Sequence, residues 1–452
     1  MSLRGGRSPT KQHLHLHAGA SVSGHLQTLN MRPYSLQSNG SIQTVSLFIL
    51  DGLANAIDFL FHFWMGRVLI PADFAVLQTL NSIALVYVTA SGVFQPVVGR
   101  FVAEARGKGQ FDLIPAIFQP FLRAAFWLGL ILAILTFSFA NVIARLLNLP
   151  YWTIQLCATL IFLSTLRPIA AGILQGQERF IAFGFTRLAL SVARILLVFF
   201  FVQTGFGLKS AVIALPFGWL VSVIWAFLLV DHQLWKRQDV QQPNLLREGW
   251  KLSIYALLAF IAYMSLTSLD LVWVNRNLGG DAAGAYASLV LMRRIIALLP
   301  GVAVTVMFPR IARMLAEGQA PQRLLIQTAS IIFVASGALT VLYFIFADQF
   351  IRIIFGNAYQ TASPLLGWMG LATIGVSLSS IWLNYYLAEK PRNFVILLVT
   401  AVVLEWFLLN VLPTSLNSAA FAFGATGWSL VLGGLILYIA KKRRLLRTAS
   451  SQ

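Results

Sequence analysis

Apolar runs recur along the whole chain, and each is long enough to cross the hydrocarbon core of a bilayer, for which a helix needs about 17–25 residues. The composition agrees with this pattern, because 58% of the residues are hydrophobic and 11% are charged, whereas soluble domains carry about 25% charged residues. Residues 1–40 are polar and contain no apolar run before a cleavage site, so a secretory signal is not indicated. The sequence therefore predicts an all-α polytopic membrane protein.

About twelve transmembrane helices are predicted from the apolar runs. They cover residues 42–65, 74–98, 114–140, 151–174, 183–203, 210–231, 252–275, 284–307, 323–346, 363–387, 394–412 and 419–440. The longest internal polar stretch divides them into two six-helix lobes, an N-terminal lobe at 41–231 and a C-terminal lobe at 252–440, with a cytoplasmic linker at 232–251 between them. The ends are interpreted as a disordered cytoplasmic tail at 1–40 and a basic cytoplasmic tail at 441–452.

The net charge of +18 is distributed unevenly over the predicted loops. If the N-terminus is cytoplasmic, most of the 33 Lys and Arg residues fall in cytoplasmic loops and tails, including "KKRRLLR" at 441–447. The opposite loops hold Arg67, Arg145, Lys209, Arg276 and Arg352. This positive-inside bias predicts a membrane protein with both termini in the cytoplasm. It also accounts for the basic composition without nucleic-acid binding.

An internal repeat supports the division into two lobes. Three identical residue pairs are each separated by 209 positions: Trp64 and Trp273, Arg67 and Arg276, and Leu69 and Leu278. Because each half has an even number of spans, both halves insert with the same orientation and are related by an axis along the membrane normal. In transporters built in this way the substrate lies between the halves, near mid-membrane. We therefore expect two six-helix lobes around a central cavity.

The first span, "SLFILDGLANAIDFLFHFW" at 46–64, carries a polar stripe. Asp51, Asn55, Asp58 and His62 are spaced by 4, 3 and 4 residues, which places all four on one side of a helix. Such a stripe cannot face lipid, so we expect it to face the cavity. In the seventh span, Tyr263, Thr267 and Asp270 repeat the spacing of 4 and then 3, and the same location is predicted for them.

Three motifs carry a family resemblance. They are "GRVLIPADFAVLQTL" at 66–80, "VVGRFVAEARGKGQ" at 97–110 and "GILQGQERF" at 172–180. Together they resemble the polysaccharide-flippase branch of the multidrug/oligosaccharidyl-lipid/polysaccharide exporter superfamily. The resemblance implies a location in the bacterial cytoplasmic membrane. It also implies movement of an undecaprenyl-pyrophosphate-linked oligosaccharide to the outer leaflet, for O-antigen, lipopolysaccharide or exopolysaccharide synthesis. The implied partners are this lipid-linked oligosaccharide, membrane lipids and a polysaccharide polymerase. Lipid II flippases usually carry about fourteen spans, which disfavours lipid II as the substrate of this chain.

Six arginines fall within or at the ends of predicted spans: Arg123, Arg167, Arg187, Arg194, Arg293 and Arg294. Arginine binds phosphate oxygens with two parallel hydrogen bonds and stays protonated when buried. For a pyrophosphate-linked substrate the candidate ligands are Arg293, Arg294, Arg123, Arg187 and Arg194. The alternative for each is an arginine that reaches toward the interface or packs within the bundle.

Four carboxylates lie in the predicted spans: Asp51, Asp58, Asp270 and Glu405. Three roles are open. The first is pairing of the carboxylates with the arginines, the second is binding of a coupling Na⁺ or H⁺, and the third is hydrogen bonding to sugar hydroxyls together with Asn55, Tyr263 and Trp273. His62, one turn beyond Asp58, would extend a proton pathway, or it is an interfacial polar residue.

Catalytic signatures are absent from the sequence. It contains no phosphate-binding glycine loop followed by Lys-Ser/Thr, no HExxH and no GxSxG, so neither an enzyme nor a resident cofactor is expected. The single Cys157 excludes an intramolecular disulfide and argues against a metal cluster. Two alternatives remain. One is a cation-coupled multidrug or small-molecule exporter, which the arginine excess disfavours. The other is a membrane glycan polymerase, which the short outward loops disfavour.

Overall fold

The computed structural model describes residues 40–202, 205–235, 245–317, 319–389 and 391–450. Within these ranges the chain forms helices joined by short loops, and no strand occurs. The predicted N-terminal tail lies outside the described residues up to position 39, as do the centre of the predicted linker and the last two residues of the C-terminal tail.

The first half of the chain contains eight helices within the described residues. They are α1 Gly40–Val68, α2 Pro71–Gly92, α3 Phe94–Gly107, α4 Leu113–Ser138, α5 Ala140–Leu147, α6 Tyr151–Gly176, α7 Phe180–Val202 and α8 Gly207–Leu229. A 3₁₀ turn, His232–Trp235, follows α8. Pro71 begins α2, where the missing N–H of proline costs no hydrogen bond.

The second half also contains eight helices within the described residues. They are α9 Leu245–Leu266, α10 Leu269–Asn277, α11 Gly280–Ala316, α12 Gln322–Ile345, α13 Ala347–Ile354, α14 Ser363–Ala388, α15 Pro391–Val411 and α16 Leu416–Ser450. A 3₁₀ turn, Asn357–Ala362, joins α13 to α14.

The predicted class, a multi-pass bundle of membrane-spanning helices, is confirmed. In the described part of the chain, ten segments are long and apolar enough to cross a membrane, or eleven if α9 and α10, which meet at 42°, form one span. About twelve spans were predicted; the remaining expected span, 284–307, lies within α11. The second expected span, 74–98, covers most of α2 and the start of α3, which are separated only at Val93 and together count as one of the ten segments.

The two halves repeat the same packing. Helix α1 packs against α7, α4 against α6, and α6 against α8; the corresponding pairs α9 with α15, α12 with α14, and α14 with α16 also pack together. A short helix that the sequence pattern did not predict follows the third membrane helix of each half. These are α5 and α13, and backbone with positive φ follows each, at Asn148 and at Gly356. The repeat is therefore visible in three dimensions beyond the few identical residues.

The halves meet tightly at one end of the bundle, which we call the closed end. It contains the loop between α1 and α2 and the start of α11. Gly284 lies so close to the Pro71 carbonyl that a β-carbon at position 284 would overlap it. The rings of Phe74 and Phe355 also meet there, with centroids 5.8 Å apart. The opposite end, which contains the loop between α3 and α4, is called the open end below.

Candidate functional site

A cavity of about 670 Å³ lies between the two halves. Its walls are formed by α1, α2, α6, α7 and α8 from the first half and by α9, α11, α14 and α16 from the second half. Cavities at the interface of repeated halves are where transporters of this architecture bind substrate. The cavity is therefore the candidate functional site.

The polar stripe of α1 lines this cavity over most of its length. Asn55, Asp58 and His62 are lining residues, whereas Asp51 lies one turn nearer the open end and reaches the wall through Arg187. The exposed fraction is 38% for the Asp51 and Asp58 side chains but only 3% for His62. The cavity is thus accessible from the open end and closes at the level of His62.

Two arginines of α7 pair with the two aspartates of α1. Arg187 lies 3.5 Å from Asp51 and donates to the Asn55 side-chain oxygen at 2.7 Å. Arg194 donates to Asp58 at 2.8 Å, and its side chain is 7% exposed. Both aspartates and both arginines are seven residues apart in the sequence, so neighbouring helices carry two matched ion pairs at successive levels.

His62 forms the inner boundary of the stripe. The Gln78 side-chain amide donates to its Nδ1 at 2.9 Å, and the Phe61 ring packs edge-on against the imidazole, with centroids 5.0 Å apart. These contacts place His62 against α2 in the buried part of the bundle, below the two ion pairs.

Asp270 does not line the cavity, although the sequence spacing placed it with Tyr263 and Thr267. It is fully buried and pairs with Arg293 through both carboxylate oxygens, and it also accepts a hydrogen bond from Tyr286 at 2.7 Å. The reason lies in the backbone, because α9 ends at Leu266 and α10 begins at Leu269, so the helical spacing does not continue to Asp270. Tyr263 and Thr267 do line the cavity.

The helix break also binds Arg293. The Thr267 carbonyl, which lies at the break, accepts a hydrogen bond from Arg293 at 2.8 Å. The Arg293 guanidinium lies over the Phe423 ring, 3.9 Å from its centroid. Arg293 therefore reaches the cavity wall with its charge already neutralised by Asp270.

Arg294 and Arg167 line the cavity without a carboxylate bonded to either one in the described part of the chain. Arg294 donates to the Ser82 hydroxyl at 3.3 Å. Arg167 donates to the Ser222 and Thr186 hydroxyls at 2.9 and 3.0 Å. Hydroxyl partners orient a guanidinium but do not cancel its charge. These two arginines are the cations best placed to take an anionic ligand.

Arg167 was recognised in the sequence as an intramembrane arginine but was not selected as a binding candidate. Its guanidinium lies 5.7 Å from the centroid of the Trp219 ring, which also lines the cavity. The available sequence signal was an arginine immediately before Pro168 in an otherwise apolar span. That signal alone does not show which side of α6 faces the second half.

Arg123 is not brought to the cavity. It lies exposed on the outer surface of the bundle, in an apolar groove with Trp127 and Trp235. A position on the lipid-facing side agrees with the alternative considered for it, an arginine that reaches toward the interface. The structure therefore groups Arg187, Arg194, Arg293 and Arg294 and separates Arg123 from them.

Charge in and around the cavity is unbalanced. Five arginines line it: Arg167, Arg187, Arg194, Arg293 and Arg294. Three of them are paired with carboxylates, namely with Asp51, Asp58 and Asp270. The fourth intramembrane carboxylate, Glu405, is buried in α15 outside the lining, and neither of its oxygens has a hydrogen-bond partner among the described residues. The cavity wall is therefore electropositive.

Residues 65–364 match the sequence profile of a family described as "Polysaccharide biosynthesis protein". No curated protein matches the chain in sequence. In fold, an inward-facing MATE multidrug-resistance transporter of the MOP superfamily gives a TM-score of 0.72 at 13% identity, over 91% of this chain and 99% of that chain. The lipid II flippase MurJ in an inward closed conformation gives 0.66 at 15% identity, over 88% and 87%. An outward-facing MATE transporter gives 0.59 at 15% identity, over 91% and 98%.

Proposed function

Because the chain belongs to the polysaccharide biosynthesis protein family, we propose that it is a flippase that moves an undecaprenyl-pyrophosphate-linked oligosaccharide across the bacterial cytoplasmic membrane. The transported molecule would then enter surface polysaccharide synthesis, with a polymerase as the consumer on the far side. The function proposed is transport, and no chemical step is assigned to the chain.

The observation that carries this proposal is the pair of cavity arginines without carboxylates, Arg167 and Arg294. A pyrophosphate brings two or more negative charges into a region where unpaired charge is costly. Guanidinium groups held by Ser82, Ser222 and Thr186 can exchange or add phosphate oxygens as partners without first breaking an ion pair. A cationic drug would meet repulsion at the same two groups.

The orientation follows from the charge of the loops. We assign the open end to the cytoplasm, because the basic segment 100–108 at the end of α3 and the basic end of α16 lie there. The substrate would then enter from the cytoplasmic side, and release requires the closed end to separate. The higher TM-score against the inward-facing MATE transporter than against the outward-facing one supports this assignment.

The ion pairs of α1 and α7 suggest the role of the aspartate stripe. Asp51 and Asp58 each contact an arginine. We therefore propose that they lower the free-energy cost of the arginine charges in the empty cavity and fix the positions of the arginine side chains. Coupling of transport to Na⁺ or H⁺ is part of the same proposal, with Asp58 as the candidate residue. The charge-balancing role and the coupling role give different results in the Asp58 experiment described in the Discussion.

We call Arg167 and Arg294 together the anion site. Binding of undecaprenyl pyrophosphate to the purified protein tests this site. Native mass spectrometry with this lipid should show about 10- to 150-fold weaker binding for Arg167→Gln and for Arg294→Gln, since one charge-assisted hydrogen bond contributes about 1.5–3 kcal/mol. Arg123→Gln is the matched control, because it also removes one intramembrane arginine charge but lies on the outer surface. Equal binding by all three variants and the wild type would overturn the assignment of the site.

Deletion of the gene tests the function in the host. We expect loss of one surface polymer, accumulation of its lipid-linked precursor on the cytoplasmic side, and recovery when the gene is restored in trans. Unchanged polysaccharide with new sensitivity to cationic dyes would favour a multidrug exporter. A polymerase would instead leave single repeat units on the outer surface.

A further inference from the structure

The charged residues of the cavity are confined to one part of its wall. All of those that line it lie on α1, α6, α7 and α11. The helices α9, α14 and α16 contribute only uncharged lining residues. The cavity thus has a charged wall and a neutral wall, and the anion site accounts only for the charged one.

The neutral wall carries a polar stripe of its own on α14. Thr373, Ser377, Ser380 and Asn384 all line the cavity, and their spacing is 4, 3 and 4. This is the spacing of the charged stripe on α1, so each stripe runs along one side of its helix. Two polar stripes, a charged one on α1 and a neutral one on α14, therefore contribute to the lining of the same cavity.

The hydrogen bonds of the α14 stripe leave acceptors unused. Thr373 donates to the Met369 carbonyl at 2.6 Å, Ser380 to the Ser377 carbonyl at 2.6 Å, and the Asn384 amide to the Ser380 carbonyl at 2.9 Å. Each of these side chains donates a hydrogen bond to a carbonyl of its own helix. The oxygen atom of each side chain can still accept a hydrogen bond from another group.

Ser377 is the most informative member of the stripe. Its side chain is 2% exposed, and within the described residues its hydroxyl has no hydrogen-bond partner. Buried hydroxyl groups are normally satisfied, because an unpaired one costs free energy. Because Ser377 also lines the cavity, its hydroxyl is positioned to form a hydrogen bond with a ligand there.

Aromatic side chains lie next to the stripe. Tyr263 donates to the Val376 carbonyl at 3.0 Å, which holds α9 against α14 at the level of Ser377. Tyr263 and Phe260 both line the cavity. A wall of uncharged hydrogen-bonding groups and aromatic rings suits a ligand that is polar and uncharged, with apolar faces.

We propose that the α14 stripe is the saccharide subsite of the cavity, whose ligands are uncharged sugar hydroxyl and acetamido groups. This inference rests on the proposed function, which places the pyrophosphate at Arg167 and Arg294. The substrate then lies across the cavity, with its pyrophosphate on the charged wall and its sugars on the neutral wall. Ser377, Ser380 and Asn384 determine which saccharide is accepted.

Two lipid probes separate this subsite from the anion site. One is undecaprenyl pyrophosphate, and the other is the lipid-linked oligosaccharide extracted from membranes of a host that lacks the gene. For Ser377→Ala/Ser380→Ala and for Asn384→Ala, we expect the oligosaccharide-bearing probe to bind about tenfold more weakly, with unchanged binding of undecaprenyl pyrophosphate. Unchanged binding of the bare lipid also shows that each variant is folded.

Ser363→Ala is the matched control. Ser363 is a buried serine at the start of the same helix, its hydroxyl also has no hydrogen-bond partner among the described residues, and it does not line the cavity. Wild-type affinity of the stripe variants for the oligosaccharide probe would overturn the subsite, and so would equal losses for both probes, which would indicate a packing role. Failure of the proposed function has a different signature: the wild-type protein would bind neither probe.

Discussion

The guanidinium of Arg67, at the end of α1, donates hydrogen bonds to the carbonyl oxygens of Ile354 at 3.0 Å and Arg352 at 3.4 Å, at the end of α13. The reciprocal contact lies across the bundle, where Asn275 of α10 donates to the Leu147 carbonyl at 3.0 Å, at the end of α5. The last carbonyls of a helix have no partner within it and carry partial negative charge. Each half thus caps the short helix of the other half, and together these contacts hold the closed end.

Removal of the Arg67 side chain should open the closed end. The lost hydrogen bonds to carbonyl groups contribute about 1–2 kcal/mol, which changes the ratio of closed to open molecules roughly tenfold. Electron-electron distance measurements between spin labels at Asp73→Cys and Gln349→Cys, in a Cys157→Ser background, should show a larger long-distance population for Arg67→Ala. Arg145→Ala removes an exposed arginine of α5 and should leave the distances unchanged. Identical distance distributions in Arg67→Ala and the parent would show that the Arg67 contact does not hold the closed end together.

Substitution of Gly284 tests the close approach of α11 to α2. A β-carbon at position 284 overlaps the Pro71 carbonyl, so Gly284→Ala must push the helices apart, at a cost of about 1–3 kcal/mol. Thermal unfolding in detergent should occur at a lower temperature. Gly337→Ala is the control, because no atom lies within 4 Å of the added carbon and alanine favours a helix. If both variants were equally stable, the approach of the two helices would not be tight.

Loss of the Asp270 charge should destabilise the protein more than loss of the Asp51 charge. Asp270 is fully buried, and Asp270→Asn leaves the buried Arg293 without its counter-charge, which costs about 3–5 kcal/mol. Asp51 and Arg187 are both more than one-third exposed, so Asp51→Asn costs at most about 1 kcal/mol. Unfolding temperatures of the two variants, measured side by side, check the order. The reverse order would contradict the burial of the Asp270 pair.

Asp58→Asn distinguishes charge balance from ion coupling. The substitution leaves Arg194, whose side chain is 7% exposed, without a carboxylate, and we expect reduced export of surface polymer at normal protein abundance. If Asp58 serves to balance charge, the second change Arg194→Gln restores export, and this rescue is the result we expect. Export that stays low in the double variant would assign a coupling role to Asp58. Normal export by Asp58→Asn alone would remove both roles.

The class and the family of the protein were accessible from the sequence. Apolar run length is a local property that sets whether a segment can span a bilayer, and the family assignment came from three short motifs. The short helices α5 and α13 were missed because the spans were predicted from apolar runs of membrane-crossing length, and each of these helices has only eight residues.

The candidate site was predictable only within single helices. The spacing of Asn55, Asp58 and His62 indicated a common side of α1, and all three line the cavity. The same reasoning failed for Asp270, because a helix break removes the periodicity on which it depends. The α14 stripe was overlooked since serine and threonine are common in membrane helices and carry no charge.

The sequence by itself determined that this chain is a helical membrane protein with two similar halves and an excess of intramembrane arginine. The tertiary structure decided which arginines line the cavity, because helix packing sets the side of each helix that faces it. Arg167 lines the cavity and Arg123 faces outward, although both are single arginines in apolar spans. It also decided the pairing of Asp58 with Arg194, a contact between residues 136 positions apart that local periodicity does not encode.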